Sequence, residues 1–144
     1  MSEGRFFLDT NVLVHAADAS SPGKRRRARE LIRKAFGARQ GCVSTQVMQE
    51  YFSVLTRKMG VPAPAARAQV VKIGELPVVQ IDADVVLGAI DLHIIHGLSF
   101  WDALIVKSAA VAGCRRVYSE DLAHDQVVDG VRIVNPFAGR SGAG

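Results

Sequence analysis

The chain has 144 residues, 49% hydrophobic, 22% charged and 6% aromatic, with 18 Lys and Arg against 14 Asp and Glu. A chain of this length buries roughly 70% of its unfolded surface, enough for one core without disulfides or a structural metal, and the same length argues against two domains. No apolar run approaches the roughly 20 residues that cross a bilayer, and Met1-Ser-Glu-Gly-Arg5 lacks the pattern of a secretory signal, so a cytoplasmic protein with no membrane partner is expected.

The net charge of +4 is uneven, because residues 1–40 hold nine basic and four acidic side chains, a balance of +5 that leaves the remainder at −1. Its densest part is Lys24-Arg25-Arg26-Arg27 with Arg29, Arg33, Lys34 and Arg39. Such a run either forms a solvated helix face or attracts a polyanion such as RNA. Cys42 and Cys114 fit neither a zinc spacing nor a disulfide framework and are read as reduced core residues.

In chain order, residues 5–8 read as a short strand that stops at Asp9-Thr10-Asn11, residue types that favour turns and helix starts. A basic helix is predicted from Pro22 to Phe36, with Ala28, Leu31, Ile32, Ala35 and Phe36 as its apolar stripe. Cys42-Val43 begins a second strand, and Ser44 or Thr45 caps the next helix. That helix carries Glu50 beside a broad apolar stripe of Val47, Met48, Tyr51, Phe52, Val54, Leu55 and Met59. A helix over 64–76, a third strand over 78–81, a helix from the Asp82 cap through Ile95 and another from the Ser99 cap through Ala112 follow. Residues 116–118 form a fourth strand, and 131–134 a last one after the Asp129-Gly130 turn. The expected organisation is one domain over 1–138 and a disordered tail over 139–144.

Short apolar strands alternating with helices indicate an α/β protein, a mainly parallel sheet sandwiched between helical layers. Ligands of such folds collect beyond the C-terminal edge of the strands, where the strand order reverses. Asp9 and Asp121 both fall at that edge, and Glu50 and Asp102 come from segments that can turn toward the same cleft. Four close carboxylates repel and raise one another's pKa. A divalent cation with a preference for hard oxygen ligands, Mg²⁺ or Mn²⁺, resolves the conflict and suits phosphodiester hydrolysis. Each acid also has a plainer reading. Asp9 suits a cap or turn, Glu50 a solvated helix position, Asp102 a capping-box position after Ser99, and Asp121 a polar turn.

Four stretches carry a family resemblance: Phe7-Leu-Asp-Thr-Asn-Val-Leu13, Ser44-Thr-Gln-Val-Met-Gln-Glu50-Tyr-Phe, Leu98-Ser-Phe-Trp-Asp102-Ala-Leu-Ile and Tyr118-Ser-Glu-Asp121-Leu. In this order, and over nearly the whole chain, they resemble the PIN-domain ribonucleases, and within them the VapC toxins of toxin-antitoxin pairs. The resemblance implies a three-layer α/β/α sandwich and a Mg²⁺-dependent endoribonuclease, with Mn²⁺ as a substitute. Its implied metal-binding and catalytic acids are Asp9, Glu50, Asp102 and Asp121, with Asn11, Ser119 and Asp125 in support. RNA as substrate, a small VapB-like antitoxin as inhibitor and a homodimer are implied as well. The basic run Lys24, Arg25, Arg26 and Arg27 then gains a role in binding RNA phosphates. Glu120 takes the place of Asp121 if the strand register slips by one residue.

Other chemistries fit less well. An aspartyl-phosphate phosphatase wants a second acid where Asn11 stands, a phospho-receiver wants paired acids after the first strand, and no Gly-x-Ser-x-Gly elbow is present. His93 and His96 share a helix face without a third metal ligand. The remaining alternative is a non-catalytic PIN-like module that binds RNA or a protein.

Overall fold

Phe6, Phe7 and Leu8 are consecutive, apolar and fully buried, a combination that suits a central strand covered on both faces. The computed structural model describes residues 4–138, so the tail expected over 139–144 lies outside the described residues. These three residues form β1 (Phe6–Leu8), followed by α1 (Thr10–Ala17), α2 (Pro22–Gly37), β2 (Gly41–Ser44), α3 (Thr45–Arg57) and α4 (Ala63–Ile73). Then come β3 (Val78–Val79), α5 (Ala83–His96), α6 (Phe100–Val111), β4 (Arg116–Tyr118), β5 (Val127–Val128) and β6 (Val131–Val134).

The sheet order is β3-β2-β1-β4-β6-β5. All neighbours are parallel except the β5–β6 hairpin. Parallel neighbours need long crossovers; helices supply those linking β1, β2, β3 and β4, and the segment that carries β5 supplies the one from β4 to β6. The chain builds outward from β1 through β2 to β3 and then returns to the other side of β1 as β4, so the reversal of order falls between β1 and β4. Among the described residues, no single helix is long and apolar enough to cross a membrane.

Local chemistry sets the helix starts. Ser44 Oγ accepts from Val47 N (3.3 Å), Asp82 Oδ1 from Val85 N (3.0 Å) and Ser99 Oγ from Asp102 N (3.1 Å), each satisfying an N–H that the helix leaves orphaned. Gly97, at φ 71°, ends α5 in the left-handed conformation that glycine adopts without a Cβ penalty.

Four expectations change. The third strand stops at Val79, because Ile81 N turns to Thr45 Oγ1 (3.3 Å) instead of a ladder partner. The helix expected over 64–76 ends at Ile73, and Phe52 leaves the apolar stripe of α3 to stand 38% exposed. A further strand, β5, pairs with β6 across Asp129 (φ 53°) and Gly130 (φ 78°), consecutive positive φ angles of a two-residue hairpin turn.

The basic helix α2 lies directly on β2. A Cβ built on Gly41 would stand 2.2 Å from Ala35 Cβ and 2.9 Å from Ala35 Cα, and neither atom can swing aside. Gly41→Ala is therefore expected to destabilise the fold by about 1–3 kcal/mol through overpacking, whereas Gly37→Ala, which meets nothing within 4 Å, changes little. Urea midpoints of the two variants check this.

Candidate active site

At the point where strand order reverses, the β1–β4 ladder continues one bond past Leu8: Asp9 N donates to Tyr118 O (3.1 Å). Asp9 then starts α1, and its Oδ1 accepts from Thr10 N at 2.7 Å. Oδ2 accepts from Ser119 Oγ at 2.7 Å and from Asn11 Nδ2 at 3.4 Å. Asn11 ties the two strand ends together, since its Nδ2 also reaches Asp121 Oδ2 (3.2 Å) while its Oδ1 accepts from Glu120 N (3.0 Å). From α3, Glu50 Oε1 accepts from Thr10 Oγ1 at 2.9 Å. Asp9, Glu50, Asp102 and Asp121 all line one cavity of about 540 Å³, with Thr10, His15, Gln46, Lys58 and Trp101 in its wall.

Asp9 is only 6% exposed, and its pKa is raised from 3.8 to about 6. Burial is the main cause; the bonds from Ser119 and Thr10 oppose it, and the nearby charges of Glu50 and Asp121 add to it. Glu120 has a different environment. Its Oε1 meets His15 Nε2 at 2.8 Å and its Oε2 meets Lys24 Nζ. Burial alone would raise its pKa, but the bonds to Lys24 and His15 prevail and hold it below the usual range. Of the two adjacent acids, Asp121 lines the cavity and Glu120 is tied to α1 and α2.

Asp125 lies outside the cavity wall, at φ 70°, paired with Arg132 at 2.6 Å. The basic run divides. Lys24 is held by Glu120 and lies over the Phe137 ring, and Arg27 is held by Glu30 (3.5 Å) and Pro136 O (3.4 Å). Arg25 and Arg26 instead join Arg29 and Arg33 along a basic groove of about 370 Å³ on α2. Sequence reasoning overlooked Thr10, His15 and Gln46. His15 stands four residues after Asn11, on the same face of α1, a spacing that could have flagged it; a buried glutamine in the first turn of a helix has no such signature.

The PIN domain family profile matches residues 6–129. The chain belongs to the PIN-domain family. Its fold resembles that of a toxin-antitoxin complex chain from Klebsiella pneumoniae (TM-score 0.69, 18% identity, 91% of this chain and 97% of that one). It also resembles Mycobacterium tuberculosis VapC20, described as a Sarcin-Ricin loop cleaving toxin (TM-score 0.65, 22% identity, 81% and 89% coverage). A third likeness is to DNA-bound VapBC from Salmonella typhimurium (TM-score 0.64, 20% identity, 90% and 96% coverage). Among curated protein sequences none matches the chain.

The donor set of this PIN domain suits a hard divalent cation. Its four acids present oxygen only, the most buried of them carries a charge that its surroundings penalise, and Gln46 Oε1 in the same wall is buried without a hydrogen-bond partner. Among the described residues, no three His, Cys, Asp or Glu side chains stand close enough together to hold a metal ion as they are placed.

The raised pKa of Asp9 fixes the sign of a pH effect on the metal-free PIN domain. The folded state holds this proton more tightly than the unfolded chain, so the stability it contributes is present below about pH 4 and is lost as pH rises through about 6. The loss amounts to about 3 kcal/mol by pH 7. Asp9→Asn removes this component, so in EDTA the variant should match or exceed wild type in urea midpoint at pH 7 and lose that advantage at pH 4.

Proposed function

We propose that the PIN domain is a metal-dependent endoribonuclease of the VapC toxin type, acting in the cytoplasm and held inactive by a small antitoxin protein. The observation that carries the reading is the convergence of Asp9, Glu50, Asp102 and Asp121 on one cavity at the C-terminal edge of the sheet, in a protein whose helix α2 lines a separate groove with four arginines. The similar folds of VapC and VapBC proteins support it, and the antitoxin follows from the complexes among them.

Asp9, Asp102 and Asp121 would hold Mg²⁺, or Mn²⁺ in its place, with Glu50 left to act on the attacking water. A bound ion supplies Lewis acidity toward a phosphate oxygen and makes a nearby water more acidic. The chain's own residues do the positioning. Ser119 Oγ and Asn11 Nδ2 fix Asp9 Oδ2, and the same amide fixes Asp121. Thr10 occupies Glu50 Oε1, leaving Oε2 to take a proton from the attacking water. In-line attack by water leaves a 5′-phosphate and a 3′-hydroxyl, with no side-chain nucleophile.

Arg25, Arg26 and Arg33, with Arg29 beside them held through Nε to Ala16 O (2.9 Å), would supply sequence-independent phosphate contacts, whereas Lys24 and Arg27 pair with Glu120 and Glu30. A homodimer belongs to the same proposal. Leu87, Ile94 and Ile95 on α5 stand 59%, 72% and 72% exposed, an apolar surface that favours burial against a second copy.

The test is cleavage of a structured RNA pool with Mg²⁺, with Mn²⁺ and with EDTA. Cutting should stop in EDTA and fall by about 100-fold or more in Asp102→Asn, since even outer-shell losses at metal sites cost 10- to 100-fold. Metal-independent cutting, or an Asp102→Asn variant with full activity, overturns the assignment. No cutting by a folded protein that binds Mg²⁺ favours the non-catalytic binding module.

In a separate binding measurement, neutralising Arg25, Arg26, Arg29 and Arg33 together should flatten the slope of log K against log salt by roughly 3, about 0.7 per phosphate contact on a single strand. An unchanged slope assigns the groove no part in RNA binding.

A further inference from the structure

The two cysteines, 72 positions apart, meet in the core: Cys42 Sγ lies 2.8 Å from Cys114 Sγ. That is closer than the roughly 3.5–4.0 Å of relaxed contact between carbon atoms, which are smaller than sulfur, and it lies about 0.8 Å outside a disulfide bond of ~2.0 Å. Both are free thiols. Cys42 is the second residue of β2, and Cys114 stands between α6 and β4, at the sheet edge opposite the acidic cavity. Among the described residues no His, Asp or Glu joins them to make a metal site. We propose that Cys42 and Cys114 are an oxidisable dithiol, which hydrogen peroxide converts into an intramolecular disulfide. The inference goes beyond the nuclease reading and does not depend on it.

The two thiols have different access. Cys42 is fully buried, with Sγ 3.6 Å from Phe6 O, while Cys114 is 5% exposed in the turn that follows Gly113 (φ 75°). Cys114 is therefore the first to meet peroxide and Cys42 the second. The hydrogen bond to Cys42 and burial hold the Cys114 thiol above its usual range, opposed by the positive charge of Arg5. The thiolate is the nucleophile, so oxidation is slow at neutral pH and accelerates as pH rises.

In the first step the Cys114 sulfur attacks a peroxide oxygen and the O–O bond breaks, giving the sulfenic acid and one water. The Cys42 sulfur then attacks the sulfenic sulfur; the S–S bond forms, the S–O bond breaks, and the hydroxyl leaves with the Cys42 proton as a second water. Two electrons pass from the thiol pair to the peroxide. The bond closes a loop that includes α3 with Glu50 and α6 with Asp102, and closing so long a loop restricts the unfolded chain far more than the native one.

The experiment exposes the full chain to hydrogen peroxide and then maps its peptides by mass spectrometry. The expected result is a loss of 2 mass units, a cross-linked peptide pair containing Cys42 and Cys114, and a rise in Tm of roughly 5–10 °C that dithiothreitol reverses. Cys42→Ala should show a trapped sulfenic acid at Cys114 with no cross-link and no gain in Tm. If peroxide cross-links the unfolded chain while both thiols of the folded chain can still be alkylated, the proposal is overturned. Cross-links only between chains overturn it equally. The wild-type peptide map decides the matter even if the alanine variant fails to fold.

Discussion

The pairing of β1 with β4 is the constraint on which the rest of the site depends. Leu8 lies opposite Tyr118, and the backbone bond from Asp9 to Tyr118 carries the register to the last residue before the two strands diverge. Asp9 and Ser119 thus leave adjacent strands side by side, one as the cap of a helix and the other as the start of a loop. In a parallel sheet this edge collects backbone ends from strands distant in sequence. It also places the Asp9 carboxylate where solvent is nearly excluded, and its pKa is raised as a result. The strand pairing and the electrostatic cost at Asp9 are two aspects of one geometry.

That cost is contained by the placement of neighbouring charges. Glu120, adjacent to Asp121, is paired with Lys24 and His15, so one negative charge of the loop is neutralised toward α1 and α2. Asn11 acts in the other direction, since a neutral amide holds two carboxylates in place without cancelling either. A lysine at that position would form an ion pair and discharge the cavity. The amide itself adds no charge, so the two carboxylates it holds keep the mutual repulsion that a divalent cation relieves.

Much of this was legible in the chain because it is local. Asp9 at the end of an apolar strand, Ser44, Asp82 and Ser99 as caps, and Gly97 as a helix stop all depend on residues within a few positions of one another. The parallel sheet followed from strands apolar on both faces. The parts that were not legible depend on three-dimensional neighbours. The sequence offers nothing to link Thr10 with Glu50 or Cys42 with Cys114, since those contacts arise only once β1, β2 and α6 are packed. The basic run looked uniform as a string, yet a helix turns successive residues by about 100°, so Lys24 and Arg27 meet acceptors in the protein while Arg25 and Arg26 face the groove. β5 was missed because two residues are too few for a periodic pattern, although the turn that creates it was visible at Asp129-Gly130.

The four acids differ in what their surroundings allow. Asp9 is buried and held by three hydrogen-bond donors, so neither its position nor its solvation can adjust when an ion arrives. Glu50 stands on the surface of α3, exposed and held at one oxygen only. A carboxylate of the first kind is suited to define where a cation sits, because its energy depends steeply on the charge beside it. A carboxylate of the second kind is suited to exchange a proton with water, because solvent reaches it and its free oxygen can move. Under the proposed nuclease function, a division of labour between fixed ligand and mobile base would follow from burial, which the sheet edge imposes on Asp9 and does not impose on Glu50.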